Sequence, residues 1–133
     1  MLTFKDPNYK DYRIFHYASK TPEKFTNALF LMGAYMLIIM KHQPSDILTK
    51  FSNYLPHARP FRDASKGECH YDCTIEHCLH GLFFALRHGW YKFSEFDVKE
   101  YEYYERVENG DLNWIIPNKF IAFMGPIKER TQG

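Results

Sequence analysis

Three cysteines, a net charge of +1 and no apolar run of membrane-spanning length mark what this 133-residue chain has little of. An odd cysteine count without a signal-peptide pattern argues against a disulfide scaffold and fits a reducing compartment. Near-zero net charge argues against a general nucleic-acid binder. The longest apolar run, Ala28 to Met40, is broken only by Gly33. It is shorter than the ~20 residues a spanning helix needs and reads as a buried helix. Internal repeats, low-complexity tracts and linkers are also missing, so residues 1–133 read as one domain.

Aromatic content is high at 18%, which predicts a core built on Phe and Tyr. Charge is unevenly spread. Between Glu95 and Asp111 seven acids face only Lys99 and Arg106, so this segment carries −5 and the remainder +6. Such a run is either a solvated helix face or a surface for a cationic partner.

Residues 1–12 are polar and read as an edge or a loose lead-in. Arg13 to Tyr17 reads as a short buried strand. Thr21 followed by Pro22 is a helix start, and that helix should run to about Lys41 with apolar residues on most sides, hence centrally. Pro44 and Ser45 open a second helix to about Tyr54. Residues 55–71, with Pro56, Pro60 and Gly67, should form a long loop. Asp72 or Thr74 caps a third helix that Gly89 ends. Ser94 with Asp97 resembles a capping box for a fourth. Asn109-Gly110 signals a turn, followed by extended pieces at Leu112–Ile116 and Lys119–Phe123 around Pro117-Asn118.

A cysteine phosphatase needs a strand-borne thiolate, a loop of amides with an arginine, and a helix N-terminus that favours the anion. Here His16-Tyr17 leads through Ala18 to Thr21 into the long helix. Tyr17 occupies the nucleophile position, Glu23 the arginine position, and the loop lacks glycine. A phenol does not replace a low-pKa thiolate, and a carboxylate repels phosphate. The arrangement reads as a degenerate phosphate loop or as an ordinary strand-loop-helix crossover. His77-Cys78 is a second His-Cys pair, but Phe84 stands where the arginine belongs and the pair lies in a helical stretch, so it is not a catalytic centre.

Several strings then match one family. They are Asn27-Ala28 with Gly33-Ala34-Tyr35; Pro60 to Ser65; Phe96-Asp97-Val98; Tyr104 to Asp111; and Asn113 to Pro117 through Phe120-Ile121-Ala122-Phe123 to Gly125-Pro126. The chain resembles, from about Arg13 to Pro126, the N-terminal domain of the cell-division-cycle-fourteen dual-specificity phosphatases. The resemblance implies an α/β, phosphatase-like fold with a degenerate active site, incomplete at its N-terminus. It also implies that residues 111–126 lead into a catalytic domain absent from this chain. The implied role is non-catalytic: an acidic groove wall that selects a basic residue after a phosphoserine-proline site. By motif position the groove acids are Glu102, Glu105 and Asp111. Glu102 and Glu105 are three apart, which puts them on one helix face.

Implied partners are phosphoprotein substrates with Ser-Pro followed by a basic residue, and the catalytic phosphatase domain. Nucleic acid, membrane, cofactor and metal are not implied. The implied localisation is nucleus and cytoplasm, with nucleolus, centrosome or cilium by family. A free-standing pseudo-phosphatase adaptor that binds protein partners is the alternative. Cys69, Cys73, His77, Cys78 and His80 also invite a zinc reading, but no CxxC knuckle exists, and buried thiols with surface histidines account for them. Arg62-Asp63 reads as an internal ion pair rather than a catalytic couple.

Overall fold

The computed structural model describes residues 7–19, 21–63 and 66–125. Residues 1–6 of the predicted lead-in, Lys20 of the degenerate loop, Ala64 and Ser65 of the Pro60–Ser65 string, and Pro126 onward lie outside the described residues. Among the described residues, four α-helices and one sheet are present: α1 Pro22–Ile38, α2 Pro44–Lys50, α3 Ile75–Arg87, α4 Val98–Tyr104, β1 Leu112–Ile116 and β2 Phe120–Phe123. This is a mixed α/β composition. The chain divides into two compact units, Met1–Phe84 and Ala85–Gly133, with the boundary in the last turns of α3.

In the first unit, α1 begins where proline at its first turn pre-sets the helical φ. It ends three residues earlier than predicted. Lys41 takes a left-handed φ of 62°, and the His42 N–H reaches back to the Met36 carbonyl at 3.1 Å. The predicted all-round burial is only partly realised. Thr26, Leu29, Gly33, Met36, Leu37 and Ile38 are buried, whereas Leu31 is exposed. Pro44 and Ile47 of α2, Phe51, and Ile75 and Leu79 of α3 complete the buried set among the described residues. A Cβ on Gly33 would lie 2.9 Å from Leu79 Cδ2 and 3.2 Å from Phe51 Cε2, so glycine is what lets these side chains close on α1. Thr26 ties the long loop to this helix, because its Oγ1 accepts from the Arg59 N–H at 2.8 Å.

The predicted strand Arg13–Tyr17 does not form. Among the described residues this segment is irregular and exposed. A strand needs a neighbour for its N–H and C=O groups, and the only ladder among the described residues is β1 with β2. Short apolar runs give composition without that neighbour.

Thr74, one of the two predicted caps, starts α3. Its Oγ1 accepts from the His77 N–H at 3.2 Å, while His77 Nδ1 accepts from the Thr74 N–H at 3.3 Å. This is a reciprocal cap with histidine in the place of the usual glutamate. At the other end Gly89 has φ +66°; its N–H reaches Leu86 O at 3.3 Å, and the Trp90 N–H reaches Ala85 O at 2.9 Å. That pair of bonds is the glycine-dependent Schellman closure.

In the second unit, α4 starts later than the Ser94 signal implies. Phe93–Glu95 is a 3-10 turn, and Asp97 itself is the cap: its Oδ1 accepts from the Lys99 and Glu100 amides at 2.8 and 3.1 Å. β1 and β2 pair antiparallel, Leu112 opposite Phe123 and Trp114 opposite Ile121, with a register shift between Trp114 and Ile116. Asn118, at φ 61°, makes the turn. No described residue of this unit is buried, and Ile115, Phe120 and Phe123 are each more than 60% exposed. A lone hairpin has two faces and two edges to cover and can bury little by itself.

Candidate functional site

The segment read from the sequence as a degenerate loop comes first in the chain. His16 and Tyr17 lie in the irregular segment, and Tyr17 is 90% exposed. Glu23 sits in the first turn of α1, where a helix N-terminus favours negative charge. Its Oε1 stands 3.4 Å from Arg59 Nη1. A phosphate-binding helix start would leave that positive end free and bring a guanidinium to it. Here a carboxylate of the helix occupies the position, and the arginine comes from the loop to meet the carboxylate. Both side chains are largely exposed, so the pair contributes little stability.

The acidic residues are carried by α4 and the turn after it. Glu102 is exposed on α4, and Glu105 is its C-terminal cap residue, also exposed. Glu105 Oε1 accepts from the Tyr101 hydroxyl at 3.3 Å. Burial raises the Tyr101 phenol above its ordinary pKa, and the Glu105 charge adds to the effect. Asp111 is half-buried with φ 45°, a left-handed value that an Asp tolerates better than most residues. Its N–H donates to the Arg106 carbonyl at 3.0 Å, so its backbone stands against the residue after Glu105. The turn is held by Gly110 at φ 111° and by Asn109 Nδ2, which donates to the Tyr103 carbonyl at 2.8 Å. Among the described residues, Glu23 pairs with Arg59 and Glu95 with Lys92, and no ion pair neutralises Glu102, Glu105 or Asp111.

The helical period gives α4 a second face. Asp97, Glu100, Tyr101 and Tyr104 line a groove of about 660 Å³ within the second unit, together with Trp90 and Trp114 among others. Glu102, Glu105 and Asp111 do not line it. Phe96 packs against Tyr91 and Tyr101, with ring centroids 6.1 and 5.5 Å away. Asn113 Oδ1, on β1, is buried with no hydrogen-bond donor among the described residues. The groove thus combines aromatic walls, charged side chains of both signs, among them Glu100, Lys92 and Lys119, and an unused acceptor, which suit a polar group that donates a hydrogen bond. Sequence reasoning passed over Glu100 and Asn113. The i, i+3, i+4, i+7 spacing of Asp97, Glu100, Tyr101 and Tyr104 is the signal that could have found the α4 part of the groove.

Four of the five residues of the zinc reading make other contacts. His77 serves the α3 cap and stacks on Tyr71. Cys69 Sγ donates to the Tyr71 carbonyl at 3.1 Å and accepts from the Asp63 N–H at 3.4 Å. Cys73 and Cys78 bring their sulfurs within 3.4 Å of each other. Arg62 and Asp63 organise the loop: Arg62 Nη2 donates to the Gly67 carbonyl at 2.6 Å, and Asp63 Oδ2 accepts from the His70 N–H at 3.1 Å.

Residues 2–85 match the family model described as dual specificity protein phosphatase, N-terminal half. The chain is 50% identical over 115 residues to the dual specificity protein phosphatase CDC14A of Mus musculus, and equally to that of Homo sapiens. Each alignment covers 86% of this chain and 19% of the relative. Against the tyrosine-protein phosphatase cdc-14 of Caenorhabditis elegans identity is 44% over 107 residues, covering 80% of this chain and 15% of the relative. The chain therefore spans about a fifth of the length of the curated relatives it matches. With more than half of its residues matched by that family model, the chain belongs to the N-terminal-half family of the dual specificity protein phosphatases.

Proposed function

We propose that this chain is a non-catalytic phosphatase-like domain that offers negative charge to basic residues of phosphoprotein substrates. In this reading residues 1–133 belong to one degenerate α/β phosphatase-like domain, with 111–126 leading toward a catalytic domain that hydrolyses the ester. Glu102, Glu105 and Asp111 select a Lys or Arg after a phosphoserine-proline site, in the nucleus and cytoplasm. The observation that carries the proposal is the set of carboxylates on α4 and its following turn without a basic partner among the described residues. Unneutralised acids grouped on one surface attract cations, each exposed pair contributing up to about 1 kcal/mol. The reversed polarity at α1, with Glu23 in the first turn, supports the non-catalytic part.

The adaptor reading draws on a separate observation, the exposed Trp114, Ile115, Phe120 and Phe123 of the hairpin, an apolar surface suited to a protein partner. One binding experiment tests the acidic surface. Phosphorylated Ser-Pro-x-Lys peptides should bind the chain weakly, with affinity falling as salt rises. Glu102→Lys together with Glu105→Lys should weaken binding by roughly tenfold or more, about 1.4 kcal/mol. Equal binding by the doubly substituted chain would remove the acidic-surface assignment. The purified chain should hydrolyse an aryl phosphate no faster than buffer, and turnover above that level would remove the non-catalytic one.

A further inference from the structure

Cys73 and Cys78 bracket the start of α3. The backbone of Cys73 is pinned in a bridge to Phe61: its N–H donates to Phe61 O at 3.0 Å, and its carbonyl accepts from the Phe61 N–H at 2.8 Å. Cys78 lies in α3, its N–H donating to Thr74 O at 3.0 Å. Between them, the reciprocal Thr74–His77 cap fixes the turn that sets the two side chains facing one another. The sulfurs are 3.4 Å apart as free thiols, about 1.4 Å more than the ~2.05 Å of a disulfide. Closing that interval calls for rotation of the two side chains toward each other. Both residues are part-exposed, so small solutes reach them. Cys69 is bound separately, to Tyr71 and Asp63.

We propose that Cys73 and Cys78 are a site of reversible oxidative modification, closing to an intramolecular disulfide on exposure to a peroxide. The two thiols surrender two electrons and two protons and form one S–S bond. The peroxide O–O bond breaks and both oxygens leave as water. One sulfur passes through a sulfenic acid that the other displaces, the first water leaving at sulfenic acid formation and the second at closure. A thiol reductant reverses the step by exchange at the part-exposed sulfurs. The product clips the end of the 61–73 loop to α3 beside the buried Ile75 and Leu79. Burial, aided by the Cys73 sulfur, pushes the Cys78 thiol up to about 11, so at neutral pH it keeps its proton, which slows its attack on a peroxide.

The test uses the full reduced chain, treated with hydrogen peroxide, alkylated, and read by intact and fragment mass spectrometry. The expected product is about 2 Da lighter than the reduced chain, takes one alkyl group, and carries it on Cys69. Dithiothreitol should restore three alkylation sites. Cys69→Ser should still lose about 2 Da, whereas Cys73→Ser and Cys78→Ser should not. Three alkyl groups after peroxide, a linkage that includes Cys69, a disulfide-linked dimer, or overoxidation to sulfinic acid without linkage would each overturn the proposal. The assignment on the unsubstituted chain decides it even if a serine variant folds poorly.

Discussion

Thr26 is a hydroxyl on the otherwise apolar buried face of α1, 1% exposed, and it holds an amide 33 positions away in the chain. Replacing it with the isosteric valine would leave the Arg59 N–H without its acceptor. A stranded donor in a part-buried setting costs about 1–3 kcal/mol, whereas serine keeps the acceptor. Thr26→Val should therefore lower the urea midpoint of the first unit clearly, and Thr26→Ser should recover part of the loss. Nothing in the sequence names Arg59 as the partner, because a threonine on a helix reads equally well as a spectator. Glu23 is a similar case. Its position where a phosphate-binding arginine would stand is legible in the sequence, but that Arg59 comes to it is a fact of the folded loop.

At the scale of elements, the hydrogen bonds at helix ends separate competing signals. Ser94 and Asp97 both carry capping side chains, and the sequence alone favours the pair acting together. In the fold Asp97 caps α4 alone, through two amides. A helix of seven residues is marginal without its cap. Asp97→Ala should cost about 1 kcal/mol of local stability, while Ser94→Ala should change little. Hydrogen exchange at the amides of residues 100–104 would separate the two. If Ser94→Ala speeds exchange as much as Asp97→Ala, the cap has been misassigned. Residues 13–17 show the converse limit. Their apolar composition suits a strand, yet pairing depends on another segment lying alongside, which composition does not encode.

For the whole molecule, the raised pKa values predict an alkaline loss of stability. Cys78 is raised from 9.0 to about 11, chiefly by burial, and burial also raises Tyr91 and Tyr101. In each case the folded state holds the proton more tightly than the unfolded chain. Raising the pH therefore releases protons first from the unfolded chain and draws the equilibrium toward it. The contribution of Cys78 is fully present below about pH 9 and is lost as pH rises to about 11. Thermal unfolding followed by far-ultraviolet circular dichroism should show a melting temperature that falls over this interval. Cys78→Ser should flatten the fall. An equally steep fall in that variant would remove Cys78 as a cause.

Residue order alone was enough for the helices with strong start and stop residues, the turn at Pro117-Asn118 between two extended pieces, the acidity of residues 95–111, and the family. These are local or compositional properties: a proline sets φ, a glycine permits a left-handed turn, and a motif is a string. Folding in three dimensions settled the rest: α1 buries one face, Asp97 rather than Ser94 caps α4, Glu100 and Asn113 line a groove which Glu102 and Glu105 do not, and two of three cysteines face each other. Each depends on where distant or rotated groups come to lie. Helical phase and through-space proximity follow from closing the chain on itself, because hydrogen bonds and buried area are settled together once every segment has its neighbours.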